Sequence, residues 1–316
     1  MDRYLVTGGA GFIGSHIVET LVAQGHFVRV FDNFDTGNRS NLPSSSSQLE
    51  IAEAGLENLE DVRRAMEGID YVFHEAARGA VPRSIKDPRG THEANVSGTL
   101  HVFLAAKEAG VKRVVSASSS SVYGETPVLP KHEMMFPSPK SPYAASKLMG
   151  EYYSSVFHEV YGLQTVSLRY FNVFGPRQNP NLQYAAVIPI FIRNMLAGKP
   201  CVIYGDGEQT RDFTYVTDCV KANLLACKKE NVGGQVFNIA CNCSTSVNQL
   251  FERLSTLLDY RIAPAYEPSR AGDVKHSYAD IQKAQERLDF LPDFTLEQGL
   301  AKTVEWYRAT TTGHRS

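Results

Sequence analysis

Thr7-Gly8-Gly9-Ala10-Gly11-Phe12-Ile13-Gly14 is the stretch on which the reading of this chain turns. It contains Gly9-x-Gly11-x-x-Gly14, and Gly8, Gly11 and Gly14 recur at every third residue. Glycines so placed allow a tight turn, a close approach of pyrophosphate to the backbone, and close packing of the helix that follows. The helix N-terminus then offers unpaired N–H groups to phosphate oxygens. The glycines alone say little, because many strand-to-helix turns are glycine-rich; the flanks decide. Residues 3–7 read as a β-strand, Phe12 to about Ala23 as a helix, and residues 27–32 as the next strand, closed by Asp32. An acid about 20 residues beyond such a turn sits where the ribose hydroxyls of a dinucleotide are held. A carboxylate there repels a 2′-phosphate, so NAD is expected rather than NADP, with Arg39 a nearby loop cation.

The same alternation continues outward. Strand-like runs lie at 70–74, 113–118 and 165–170, with helical patterns at about 57–67, 91–109 and 142–161. Regular alternation of this kind predicts an α/β fold, a Rossmann-type doubly wound parallel sheet with helices on both faces. After about residue 175 prolines, glycines and aromatics punctuate shorter elements, so a smaller C-terminal substrate-binding lobe is expected over 176–316, following a first domain over 1–175. The chain is expected to cross back between the two. The 316 residues suffice for a large core, and 43% apolar with 21% charged residues is ordinary for a globular protein. A net charge of -2 without a basic cluster argues against a nucleic-acid partner. No apolar run has the length of a membrane span or of a signal-peptide core, so a cytoplasmic protein is expected. Five scattered cysteines make no disulfide framework, and Cys241-x-Cys243 lacks a second ligand pair, so no metal site is expected.

Tyr143-Ala144-Ala145-Ser146-Lys147 places a phenol and an ammonium four residues apart, on one face of a helix. A tyrosine is a poor base at neutral pH, but a nearby cation favours its phenolate and lowers its pKa. Upstream, Ser118-Ser119-Ser120-Ser121 follows a strand, and strand C-terminal ends are where open α/β sheets bind ligands. Either feature alone is common on surfaces; in this order, after a dinucleotide turn, they point to proton transfer beside a nicotinamide.

With these stretches the chain resembles the extended short-chain dehydrogenase/reductases over nearly its whole length, and within them the UDP-hexose 4-epimerases. Further matching stretches are Asp32-Asn33-Phe34, His74-Glu75-Ala76-Ala77, Asn95-Val96-Ser97-Gly98-Thr99, Arg169 to Gly175, Tyr204-Gly205-Asp206-Gly207 and Arg211-Asp212-Phe213. The resemblance implies that Tyr143 is the base, Lys147 its electrostatic partner, and Ser119 and Ser120 the hydrogen-bonding serines. It implies NAD contacts from Gly8, Gly11, Phe12, Ile13, Gly14, Asp32, Asn33, Leu56, Ala76, Ala77, Tyr143, Lys147 and Tyr170. It implies that Asn172, Arg211 and Arg270 hold the nucleotide diphosphate with Asp273 close to its ribose, that Gly79, Ser121, Asn172, Gln178, Ala186 and Ser277 line the sugar pocket, and that Tyr204 and Val187 are also substrate-binding. The related 4,6-dehydratases carry an Asp-Glu pair where this chain has Ser120-Ser121, which favours epimerisation through a transient 4-keto sugar. Ser277 stands where epimerases restricted to plain sugars carry a bulky Tyr, so an N-acetylated UDP-sugar is expected to fit. A homodimer is implied, with the helices near 91–109 and 142–161 forming a four-helix bundle.

Two positions depart from the family pattern. Gly55 replaces an acidic residue that contacts the adenine side of NAD, and Arg78 stands near the nicotinamide end where an apolar residue is expected. Arg78 or Arg83 facing a carboxylate would suit a UDP-glucuronate 4-epimerase. An NAD-binding sensor without turnover is the reading from a different class; the presence of both Tyr143 and Lys147 speaks against it.

Overall fold

The computed structural model describes residues 1–44, 46–181, 186–269 and 274–312. Its first half is built from β1 (Arg3–Thr7), α1 (Phe12–Ala23), β2 (Phe27–Asp32), β3 (Leu49–Glu53), α2 (Leu59–Met66), β4 (Tyr71–His74), α3 (Val81–Lys86), α4 (Pro88–His92), α5 (Gly98–Glu108), β5 (Arg113–Ser119), α6 (Pro142–Tyr161) and β6 (Thr165–Tyr170). Then follow β7 (Val173–Phe174), α7 (Val187–Leu196), β8 (Val202–Tyr204), β9 (Thr210–Arg211), β10 (Thr214–Tyr215), α8 (Val216–Lys228), β11 (Gln235–Ile239), β12 (Thr245–Ser246), α9 (Val247–Leu258), β13 (Ala265–Glu267), β14 (His276–Ser277), α10 (Gln282–Leu288) and α11 (Leu296–Thr312). Seven strands form one sheet in the order β11-β6-β5-β4-β1-β2-β3, and every pairing within it is parallel.

Strand alternation explains why both faces are covered. In β1, Tyr4 and Val6 enter the layer shared with α1 and α8, while Leu5 enters the layer under α2, α5 and α6. Val115 and Val114 divide in the same way in β5. A third apolar cluster joins α7, α9 and α11 around Phe191, Leu250 and Val304. Late segments of the chain join the first sheet: β11 pairs with β6 to close one edge, and Cys219 and Ala222 of α8 pack into the same layer as α1.

The expected helix over 91–109 is interrupted. One α-helix ends at His92, a π-helical turn spans Glu93–Ser97, and α5 begins at Gly98. Tertiary bonds account for the interruption. Asn95 Oδ1 accepts from the Arg78 N–H at 2.7 Å, and its Nδ2 donates to Ser146 Oγ at 3.0 Å. By contrast α6 has clean local signals. Ser141 Oγ caps the Ala144 N–H, Pro142 opens the helix, and Gly162 ends it with φ +72. Among the described residues no helix is long and apolar enough to cross a membrane.

Candidate active site

A cleft of about 540 Å³ runs across the C-terminal ends of the central strands. Every position expected to hold the dinucleotide lines it, from Gly8 and Gly11 through Asp32, Leu56, Ala76 and Ala77 to Tyr143, Lys147 and Tyr170. The glycine turn leaves bare backbone where side chains do not fit. A Cβ on Gly8, whose φ is +66, would lie 2.7 Å from the Ala76 nitrogen, and one on Gly14 would lie 2.2 Å from the Gly8 carbonyl oxygen. These residues therefore fit a pyrophosphate laid over the start of α1. Asp32 is less free than the sequence implies: Oδ2 accepts from the Ala10 N–H at 2.9 Å and Oδ1 from the Phe34 N–H at 2.8 Å. Each oxygen keeps a second lone pair for a ribose hydroxyl.

Tyr143 and Lys147 share one face of α6 and both line the cleft. Lys147 Nζ donates to the Ala117 carbonyl of β5 at 2.9 Å. Burial pushes the Lys147 pKa down, and the charges of Glu75 and Glu151 oppose this. The expected lowering of the Tyr143 pKa does not hold in the protein alone. Burial raises it, a hydrogen bond from Ser119 works against the rise, and the Glu75 charge adds to it. Ser119 also accepts from Ser121 Oγ at 2.9 Å, and Ser120 begins the single 3-10 turn after β5. Of the serines it is Ser118 that lines the cleft, with its hydroxyl turned to Glu151 Oε1 at 2.5 Å.

Several neighbours carry chemistry that no motif assigned. Glu75 precedes the Ala76-Ala77 pair and accepts from the Tyr170 hydroxyl at 2.8 Å, which in turn accepts from Asn223 Nδ2 at 2.8 Å. Burial raises the Glu75 pKa, and the Tyr170 hydrogen bond and the Lys147 charge lower it. Glu151 and Arg169 form a buried bidentate pair at 2.7 and 2.8 Å behind the cleft. His74 bridges Thr7 and Thr99, and burial pushes its pKa down to about 3, so it stays neutral. Asp212 accepts the N–H groups of Cys241, Cys243 and Ala279, which ties the 241–243 loop and residue 279 to the strand end beside Arg211. Glu75 and Asp212 lie inside the matching stretches, yet only their tertiary partners show what they do.

The expected substrate residues divide. Gly79 lines the cleft. Arg211 and Ser277 are register partners in the pairing of β9 with β14, and Ser277 is buried. Arg211 Nη1 donates to the Thr210 carbonyl at 2.8 Å. Asn172, with φ +34, donates to the Asp212 carbonyl at 2.9 Å. Gln178 Nε2 donates to the Val173 carbonyl at 3.2 Å, and its buried Oε1 has no partner among the described residues. Ala186 and Val187 begin α7, and Tyr204 ends β8. None of these lines the cleft except Gly79. Arg270 and Asp273 lie outside the described residues. Arg78 lines the cleft and pairs with Asp87 at 2.9 Å, and Arg83 pairs with Asp35 at 2.8 Å. Among the described residues no group of three or more His, Cys, Asp or Glu side chains converges as metal ligands do.

Comparison with known proteins places this geometry. A family model described as the NAD dependent epimerase/dehydratase family matches residues 4–240. A UDP-glucose 4-epimerase of Mycolicibacterium smegmatis is 39% identical over 310 residues, covering 97% of this chain and 98% of the relative. The structure of a UDP-N-acetylglucosamine 4-epimerase from Methanobrevibacter ruminantium, in complex with UDP-N-acetylmuramic acid, superposes with a TM-score of 0.94 at 43% identity, covering 98% of this chain and 99% of that one. A UDP-glucose 4-epimerase from Thermotoga maritima, with UDP-glucose, gives a TM-score of 0.94 at 41% identity, with coverage of 98% and 99%.

Proposed function

The chain belongs to the NAD-dependent epimerase/dehydratase family and is a UDP-sugar 4-epimerase; from that premise we propose that it inverts C4 of UDP-N-acetylglucosamine and of UDP-glucose. The observation that carries the choice of sugar is the buried Ser277 in register with Arg211. A small side chain beside the cation expected to hold the diphosphate leaves room for a C2 acetamido group. The likeness to a UDP-N-acetylglucosamine 4-epimerase supports the same reading.

In this proposal Tyr143 takes the proton of the C4 hydroxyl and returns it to the C4 oxygen once the sugar has presented its other face. Ser119 hydrogen-bonds the same oxygen, and the Lys147 charge favours the phenolate. Bound NAD supplies the acceptor and donor of the C4 hydride, so no external reductant is consumed. Arg211, with Arg270, Asp273, Asn172 and Tyr204, holds the UDP part. Anchoring by this remote group lets the 4-keto sugar turn between its two faces without leaving. Residues 1–175 would then hold mainly cofactor and catalytic groups, and 176–316 mainly substrate.

A UDP-glucuronate reading rested on Arg78 or Arg83 facing a carboxylate. Both guanidiniums are already paired with acids, Asp87 and Asp35, which favours the uncharged sugars. We propose further that a second copy covers α6. Met149, Tyr152 and Val156 are 42%, 54% and 46% exposed and lie on one helical face. Incubating the purified protein with UDP-N-acetylglucosamine, UDP-glucose or UDP-glucuronate, without reductant, tests the substrate assignment. Conversion of the first two to their C4 epimers is expected. Turnover of UDP-glucose alone would overturn the part assigned to Ser277, and turnover of the uronate alone would return attention to the arginines.

A further inference from the structure

The sheet order runs β5, β4, β1, β2, β3 across the cleft. Lys147 is bonded at β5, the glycine turn follows β1, Asp32 ends β2, and Gly55–Glu57 follow β3. With its reactive ring at Tyr143 and its ribose at Asp32, a dinucleotide extends its adenine toward the end of β3. Gly55 stands there, with no side chain to recognise a base. Its backbone does not demand glycine: its φ lies outside the left-handed range. What a Cβ at residue 55 would meet is the Glu57 carboxylate, with Oε2 at 2.1 Å, Oε1 at 2.2 Å and Cδ at 2.3 Å. The carboxylate of Glu57 therefore fills the space that a side chain at residue 55 would enter. Both residues line the cleft. Among the described residues Glu57 forms no hydrogen bond or ion pair.

We propose that Glu57 is the adenine-recognising acid of this chain, its carboxylate accepting from the exocyclic amine of the base in the space left by Gly55. An amine on a purine is a donor and a carboxylate is an acceptor only, so the pair is complementary. Hypoxanthine carries a carbonyl oxygen in place of the amine and presents an acceptor to an acceptor. Selection for adenine over hypoxanthine is the signature of such a contact. A glutamate just before the Asn58 cap of α2 can also favour the helix N-terminus electrostatically. That role affects stability without reading the base, so base selectivity separates the two.

Equilibrium dialysis of the protein against equal concentrations of NAD and nicotinamide hypoxanthine dinucleotide, with bound nucleotide released and quantified by chromatography, tests the proposal. The wild type is expected to bind NAD about tenfold better, the scale of one hydrogen bond to a charged group. Glu57→Ala should bring the two within about twofold of each other. Gly55→Asp in the Glu57→Ala background, where the space is vacated, should restore the preference for NAD. An unchanged ratio in Glu57→Ala would overturn the proposal, as would a wild type that binds both dinucleotides equally. Because the readout is a binding ratio, it stands apart from which UDP-sugar is turned over.

Discussion

Replacing Gly14 by alanine adds one methyl group and should damage both the fold and the cofactor site. The new Cβ would lie 2.2 Å from the Gly8 oxygen and 2.9 Å from the Gly8 carbon and the Gly9 Cα. All three are backbone atoms of the turn, so no side chain can swing aside. To reach even 3.0 Å the start of α1 must move by about 0.8 Å. Overpacking of this kind costs about 1–3 kcal/mol, which lowers Tm by several degrees. The same movement carries the N–H groups of α1 away from the turn. Hydrogen bonds to charged groups contribute about 1.5–3 kcal/mol each, so losing one weakens NAD binding roughly 10- to 100-fold. Thermal unfolding and equilibrium dialysis with NAD measure the two effects. Gly150→Ala is the control, because its Cβ meets only Thr99 Cγ2 at an ordinary 3.7 Å. Gly14→Ala with the melting temperature and NAD affinity of the wild type would refute the reasoning.

Four further outcomes are expected. Tyr143→Phe should keep its fold and bind UDP as the wild type does, with turnover reduced at least 100-fold in a product assay. Glu75→Gln should move both limbs of the pH–rate profile to lower pH. The negative charge of Glu75 raises the pKa of Tyr143, which must lose its proton, and of Lys147, which must keep its charge, and removing it lowers both. Glu151→Ala should lose about 3–5 kcal/mol in denaturant unfolding, because it strands the buried Arg169 guanidinium. Tyr152→Glu should shift the protein to a monomer in light scattering, since it puts a charge in the middle of the exposed stripe on α6.

The elements whose signals are local were legible in the sequence. β1, α1, β2, α6 and β6 fall on the residues that periodicity and the glycine turn select. The glycine turn, Asp32 and the Tyr143-Lys147 spacing are likewise short-range patterns, and all of them line the cleft, while Leu56, Ala76, Ala77 and Tyr170 were expected from the resemblance alone. Features set by distant partners were not. The π-helical turn at Glu93–Ser97 depends on Asn95 reaching Arg78 and Ser146. The behaviour of Tyr143 depends on burial and on Glu75, whose side chain is held by Tyr170 from another strand. Arg78 is held by Asp87, a partner that no local pattern singles out. In the sequence Gly55 shows only as the loss of an acidic contact to the adenine side of NAD, while in the structure the Glu57 carboxylate fills the space beside it.

The central claim is that one cleft brings Tyr143, Lys147 and bound NAD together on C4 of a UDP-sugar, with the C4 hydrogen kept out of water. Purified protein incubated with UDP-N-acetylglucosamine deuterated at C4, without added reductant, tests it most directly by mass spectrometry and NMR of the product. The account predicts a C4 epimer that retains the deuterium at C4. An epimer carrying solvent hydrogen at C4, or a requirement for added reductant, would contradict it.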